Sequence, residues 1–188
     1  EDGDEVVLDG YRQDPSRGAH IKLPDTLKPF SMLDLQSVGS HAYRWRFNLK
    51  TGATAEGPLS DGISEFGMIN QQYAGKPYRY TWEMTAKPGW FLFDGLHRLE
   101  VETGNRDSYQ FPRGVYASES PMAPLTPGGD EADGCVVTFT TDVNADASWC
   151  EIFAADDISR GPVARVKLPQ RISSGTHACW APLDAITA

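Results

Sequence analysis

Arg46-Phe47-Asn48-Leu49-Lys50-Thr51-Gly52 recurs as Arg98-Leu99-Glu100-Val101-Glu102-Thr103-Gly104, 52 residues later. A further 52 residues on lies Cys150-Glu151-Ile152-Phe153-Ala154-Ala155-Asp156, a degenerate third copy in the same register. Thr51-Gly52 at the end of the first copy predicts a tight turn into a return strand, and Thr103-Gly104 closes the strand of the second. All-β sequence that repeats at about 50 residues is the signature of propeller blades, each a small antiparallel sheet. The alternatives at this point are a sandwich or a barrel, in which two ordinary hairpins resemble each other by chance.

The flanking sequence supports strands throughout. Tyr43 to Lys50 alternates apolar and polar residues at every step and is the cleanest half-buried strand in the chain. Tyr78 to Met84 alternates again, Leu96 to Val101 forms another strand, and Gly134–Thr141 with Ser148–Ala154 predicts a hairpin turning at Asn144-Ala145-Asp146. Val163 to Leu168 is the last clear strand. At the other end Val6 to Leu8 starts the first run. Pro15, Gly18, Pro24 and Pro29 then mark residues 11–40 as an irregular connection, with a short helix expected near Ser31–Val38. Three or four blades do not close a propeller, so 188 residues read as about half of one. The opening Glu1-Asp2-Gly3-Asp4-Glu5 runs straight into Val6-Val7-Leu8 and reads as the interior of a longer chain.

Composition narrows the function classes. Hydrophobic residues make up 40% and charged residues 23%, ordinary for a globular protein with a sizeable core. A formal net charge of −9 without a basic cluster argues against nucleic acid and anionic membrane as partners. No apolar run approaches the roughly 18 residues of a membrane span, which leaves only peripheral membrane contact open. Cys135, Cys150 and Cys179 form no CxxC pair and suggest a reducing compartment, the cytoplasm.

No GxSxG, HExxH, P-loop or dinucleotide fingerprint is present. None of the four histidines, His20, His41, His97 and His177, pairs with another at i+2 or i+4. His97 belongs by pattern to a strand surface, and His20 and His41 to loop-like sequence. His177 stands in Ser173-Ser174-Gly175-Thr176-His177-Ala178-Cys179-Trp180, where Gly175 permits a tight turn or a close backbone approach. A neutral imidazole at a strand end is a common transition-metal ligand; the plainer reading is a histidine that packs and hydrogen-bonds. Glu65 and Glu119 stand out because their surroundings carry little charge; each is either solvated in a loop or kept buried by a partner.

These residues also carry a resemblance. Glu65-Phe66-Gly67-Met68-Ile69-Asn70 followed by Tyr73-Ala74-Gly75-Lys76-Pro77-Tyr78 resembles the "EFPxIN…YxGxPY" signature of the carotenoid cleavage oxygenases. Ser118-Glu119-Ser120-Pro121 followed by Asp130 to Gly134 resembles that family's "SEPxFVPxP…EDDG" segment. Thr176-His177-Ala178-Cys179-Trp180 is similar to its C-terminal "FHGxW", and Arg44-Trp45 leading into Asn48-Leu49 also fits. Glu1 to Val7 resembles the residues immediately after the family's "HxxNAxE" motif. The resemblance covers the whole chain in the right order.

The resemblance implies a seven-bladed β-propeller of which residues 1–188 are the C-terminal part of a single domain. It implies one Fe(II) on the propeller axis, held by four histidines that carboxylates behind them orient. His177 would be the fourth iron ligand, and Glu65 and Glu119 two of three carboxylates behind the ligands. The other three histidines would precede Glu1, in an N-terminal part that completes the propeller. The implied reaction is oxidative cleavage, with dioxygen, of a conjugated C=C bond of a carotenoid or apocarotenoid into two carbonyl products. The substrate, an apolar small molecule, would lie in a tunnel beside the iron. A stilbene or propenyl phenol is the alternative substrate, and a non-catalytic propeller fragment that binds or scaffolds is the rival from another class. Two positions depart from the pattern: Gly67 stands where the family usually has proline, and Thr176 where a bulky apolar residue is common.

Overall fold

In a computed structural model, which describes residues 3–14, 25, 39–87, 92–173 and 175–183, twelve strands form three consecutive antiparallel sheets. The expected helix near Ser31–Val38, and His20, lie outside the described residues. The first sheet has β1 (Glu5–Gln13), β2 (Ser40–Asn48) and β3 (Thr54–Pro58) in that order. The second runs β4 (Ile63–Met68), β5 (Tyr80–Ala86), β6 (Gly95–Glu100), β7 (Arg106–Gln110). The third runs outward from β8 (Val115–Ala117) through β10 (Gly134–Asp142) and β11 (Ala147–Ala154) to β12 (Pro162–Lys167), with β9 (Met122–Pro124) also paired to β10. Neighbouring strands follow one another in sequence in the first two sheets, and in the third β8 and β9 both pair with β10 before the strands run on to β12, the meander of a propeller blade.

The 52-residue repeat is the blade pitch. Its three copies fall at β2, β6 and β11, in each case the strand that leads into the last strand of its sheet. The first two copies turn identically. Gly52 N–H donates to Asn48 O at 2.9 Å and Gly104 N–H to Glu100 O at 2.8 Å, and both glycines have φ of 73°. That left-handed backbone suits glycine and accounts for the Thr-Gly signature. The third copy has no glycine at the matching position, Asp156. There the reversal is made by a 3-10 turn at Ile158–Arg160, capped by the Asp157 carboxylate on Arg160 N–H and closed by Gly161 at φ 83°.

Three placements differ from the sequence expectations. Tyr11, Arg12 and Gln13 are not loop but the end of β1, paired with Ala42, His41 and Ser40. The alternation that identifies β2 says nothing about β1, whose own burial is too even to show a period. His41 is likewise in β2, not a loop, with its ring nitrogens on Gly62 O at 2.6 Å and Asp14 Oδ2 at 3.2 Å. His97 lies in β6 as expected, yet it is buried rather than on a strand surface, because both faces of the second sheet are covered.

Those two faces differ in chemistry. Trp82, Met84 and Leu96 point toward the third sheet and join Phe111, Val115, Met122, Val136, Phe153 and Ile158 in one apolar core. Trp82 Nε1–H donates to Ala155 O at 3.0 Å, so the largest core side chain leaves no polar atom unpaired. On the opposite face Glu83 and His97, cross-strand partners, meet at 3.0 Å and look toward the first sheet. Asp9 of β1 takes Arg44 bidentately at 2.6 and 2.8 Å and also accepts from Tyr78 O–H at 2.6 Å, while Arg44 reaches Glu102 at 2.5 Å. The first and second blades are therefore joined largely by ion pairs, whereas the second and third share a hydrocarbon core rimmed by polar links, Glu131 on the Arg79 and Tyr80 N–H groups and Asp107 on those of Ile158 and Ser159.

Candidate metal-centre residues

Glu65 lies on β4 at a break in the ladder. Glu65 pairs with Met84 and Met68 with Trp82, so Phe66 and Gly67 together oppose the single residue Glu83. This is a β-bulge, a device that re-aims side chains at a sheet edge. Phe66 has φ of 56°, one of two non-glycine residues with positive φ among those described. Such a backbone is disfavoured for a bulky side chain and persists only where its surroundings hold it. The bulge turns the Phe66 ring edge-on to Phe93 (centroids 5.3 Å, 69°) and to His177 (5.4 Å, 86°). The Glu65 carboxylate accepts from Gln13 Nε2–H at 3.3 Å.

Glu119 connects β8 to β9, two three-residue strands that sequence patterning does not reveal. Its side chain is only 12% exposed. The carboxylate accepts a short hydrogen bond from Ala178 N–H and faces His177 Nδ1 at 3.5 Å. The tight bond is thus to the backbone. The ring contact is longer than an ordinary N–H···O bond, so the imidazole takes its orientation from Phe66 as well as from the charge.

His177 is not at a strand end, as its sequence context suggested, but on the irregular segment that follows β12. That segment lies against the third sheet because Gly175 comes close to Ser118: a Cβ at Gly175 would stand 3.3 Å from the Ser118 Cβ. The close-approach reading of this glycine is therefore the applicable one. The His177 side chain is 79% exposed, and its Nε2 has no partner among the described residues. Thr176 is exposed beside it.

Among the described residues no three His, Cys, Asp or Glu side chains are gathered as a complete metal site. One corner of such a site is nevertheless present in its chemistry. His177 turns one ring nitrogen to a buried carboxylate and leaves the other open, which is how a metal-binding imidazole is held in one tautomer. The residues fit a transition metal to that extent. His41 and His97 are elsewhere, each engaged with a carboxylate of its own.

Two contributors to this corner escape sequence reading. Phe66 lies inside a recognisable motif, but its role depends on a bulge that no local pattern announces. Tyr11 lies in sequence without periodicity. Its hydroxyl lies against Gly67 and beside the Glu83 carboxylate, and burial, then Glu83, pushes the phenol well above its ordinary range. The departure from proline at Gly67 was the available signal. A Cβ there would overlap the Tyr11 hydroxyl and stand 2.8 Å from Thr81 Oγ1.

Comparison with known proteins bears on the whole chain. The family model described as RPE65, retinal pigment epithelial membrane protein, matches residues 1–182. A carotenoid 9,10(9',10')-cleavage dioxygenase 1 from Phaseolus vulgaris is 33% identical over 158 residues, covering 77% of this chain and 29% of the relative. The fold matches the Pseudomonas brassicacearum lignostilbene dioxygenase (TM-score 0.80, 23% identity, 97% of this chain and 40% of that one). It also matches a single-substitution variant of the Synechocystis apocarotenoid oxygenase (TM-score 0.81, 22% identity, 96% and 37%). The chain spans about a third of the length of the curated relatives it matches. Its three sheets are blades of the same β-propeller, and the chain belongs to the RPE65/carotenoid cleavage oxygenase family.

Proposed function

We propose that this chain is the C-terminal part of a non-haem iron(II) dioxygenase that cleaves a conjugated C=C bond of a carotenoid or apocarotenoid into two carbonyl products. In this reading residues 1–188 belong to one propeller domain, and preceding blades supply three more histidines. His177 is an iron ligand through Nε2, and Glu65 and Glu119 are carboxylates that orient iron-bound imidazoles. The observation that carries the reading is the meeting of three distant stretches: Glu119, the bulge holding Glu65 and Phe66, and His177.

When bound, ferrous iron supplies the redox chemistry that lets dioxygen react with a conjugated alkene. The chain's own residues do the rest at this corner. Glu119 faces Nδ1 of His177, which would turn Nε2 toward the metal, and its charge would offset part of the metal's. Its bond to Ala178 N–H keeps that carboxylate in place when the imidazole is loaded. Phe66, itself edge-on to Phe93, presents its ring beside the imidazole, an apolar surface that suits a polyene.

The test uses the complete protein. Iron content is measured after exhaustive dialysis, and carbonyl products are followed with an apocarotenal and with a hydroxystilbene. Retained iron and cleavage of the apocarotenal support the reading. Cleavage of the stilbene alone moves the substrate to aromatic alkenes. No iron and no cleavage of either would return the chain to a non-catalytic propeller.

A further inference from the structure

We propose that Tyr11 is a positioning residue for the β4 bulge, the end of a buried chain His97–Glu83–Tyr11–Gly67 that sets where Glu65 and Phe66 point. The proposal rests on the functional reading of Glu65 and His177, and extends it to residues with no place in any motif.

The chain of contacts crosses two blades. His97 Nε2 and Glu83 Oε2 are 3.0 Å apart on neighbouring strands, with side chains only 4% and 1% exposed. Tyr11, from β1 of the preceding blade, sets its buried hydroxyl beside the same Glu83 carboxylate and against Gly67, where a Cβ would overlap it. Gly67 and Phe66 are the two residues that bulge out opposite Glu83. Glu83 therefore receives His97 from one side and Tyr11 from the other, directly beneath the irregularity.

Each link is needed by the next. A carboxyl group buried this deeply requires polar partners, so Glu83 fixes His97 and keeps the Tyr11 hydroxyl at its side. Tyr11 in turn fills the space a side chain at position 67 would use, with Thr81 Oγ1 closing the other side. Gly67 can only follow the path left to it, because the phenol oxygen occupies the place of its missing side chain. Phe66, one residue back, is thereby kept at φ 56° with its ring on His177. The strain of that backbone is what the buried chain offsets. Without Tyr11 the bulge relaxes, the Phe66 ring leaves His177, and Glu65 loses its aim. Glu65 is also linked to β1 through Gln13, two residues beyond Tyr11, so both anchors of the bulge come from the same strand.

The experiment compares wild type, Tyr11→Phe and Gly67→Ala in the complete protein. Gly67→Ala reaches the same contact from the other side and stands in should Tyr11→Phe fold poorly. Two readouts are taken: amide exchange in the metal-free protein, and iron affinity with the spin-resonance spectrum of the ferrous nitrosyl adduct. Tyr11→Phe, which removes the hydroxyl packed against Gly67, should speed exchange at Gly67 by about fivefold to tenfold and leave the β6–β7 hairpin unchanged. Iron affinity should fall about tenfold with an altered nitrosyl spectrum, as removal of a group behind the ligands predicts. Unchanged exchange at Gly67, loosening spread evenly over both blades, or unaltered iron affinity and spectrum despite faster local exchange would each overturn the proposal. If wild type itself holds no iron, the fault lies with the functional reading, and Gly67 exchange alone decides whether Tyr11 holds the bulge.

Discussion

At the residue scale the candidate centre depends on how few groups hold each side chain. His177 has a ring contact with Phe66 and a 3.5 Å approach to Glu119. In the complete protein His177→Ala should abolish iron retention, read as metal per protein after dialysis. Glu119→Gln keeps an acceptor for Ala178 N–H but loses the charge; it should lower iron affinity or rate by about 10–100-fold while the melting temperature holds. Full activity in either variant would remove that residue from the centre. Two phenols give a separate expectation. Burial pushes both Tyr11 and Tyr78 well above the ordinary value, with Glu83 adding to the first and the Asp9 hydrogen bond to the second. The folded state thus holds protons that the unfolded state releases near pH 10, so these groups stabilise the fold below about pH 10 and that contribution is lost as pH rises further. Alkaline titration by absorbance should show neither phenol ionising before the fold opens, checked by subtracting the curves of Tyr11→Phe and Tyr78→Phe. His177 and Glu119 were legible because each sits in a motif that is local in sequence. Tyr11 was not, because its partners Glu83 and Gly67 lie more than fifty residues away and only the blade contact joins them.

At the scale of elements, the repeat was legible because it is written in a turn. Gly52 and Gly104 share φ, hydrogen bond and position in the hairpin, and differ in their surroundings. A Cβ at Gly52 meets nothing within 4 Å, whereas one at Gly104 stands 3.1 Å from Leu59 O. Gly52→Ala should therefore cost only the left-handed backbone penalty, about 1 kcal/mol, and Gly104→Ala measurably more, because a carbonyl must move. Chemical denaturation of the two variants checks the order; equal losses would mean that the connection holding Leu59 yields freely. The elements that were missed, β8, β9 and the bulge in β4, share a physical reason. Strands of three residues show no period, and a bulge cancels the alternation that would mark its strand. Both kinds of element carry the carboxylates of the candidate centre. Where the backbone leaves its regular form to aim a side chain, the pattern that betrays regular form is lost.

At the scale of the molecule the two blade contacts should fail differently. The second and third blades share Trp82, Met84, Leu96, Phe111 and Phe153, all fully or nearly fully buried. Phe153→Ala opens a cavity among them and should cost about 3–5 kcal/mol, felt by both blades at once. The first and second blades meet through Asp9, Arg44, Tyr78 and Glu102 instead. The Asp9 and Arg44 side chains are 9% and 13% exposed, and the paired carboxylates hold the Arg44 guanidinium above its already high range. A pair this enclosed repays little beyond its own desolvation, but halving it leaves a charge stranded. Asp9→Ala removes the partner of both Arg44 and Tyr78 and should also cost about 3–5 kcal/mol in the complete protein. The two variants are then similar in total loss and distinct in place. Amide exchange should show β1, β2 and β3 loosening together in Asp9→Ala while β10 and β11 keep their protection, and the second and third sheets loosening as one unit in Phe153→Ala. Uniform loosening in Asp9→Ala would mean that the polar contact is not a boundary between cooperative units. Protection lost from the first sheet alone would place that boundary on the face that carries Glu83 and Tyr11, so that motion of the first blade reaches the bulge before it reaches the core.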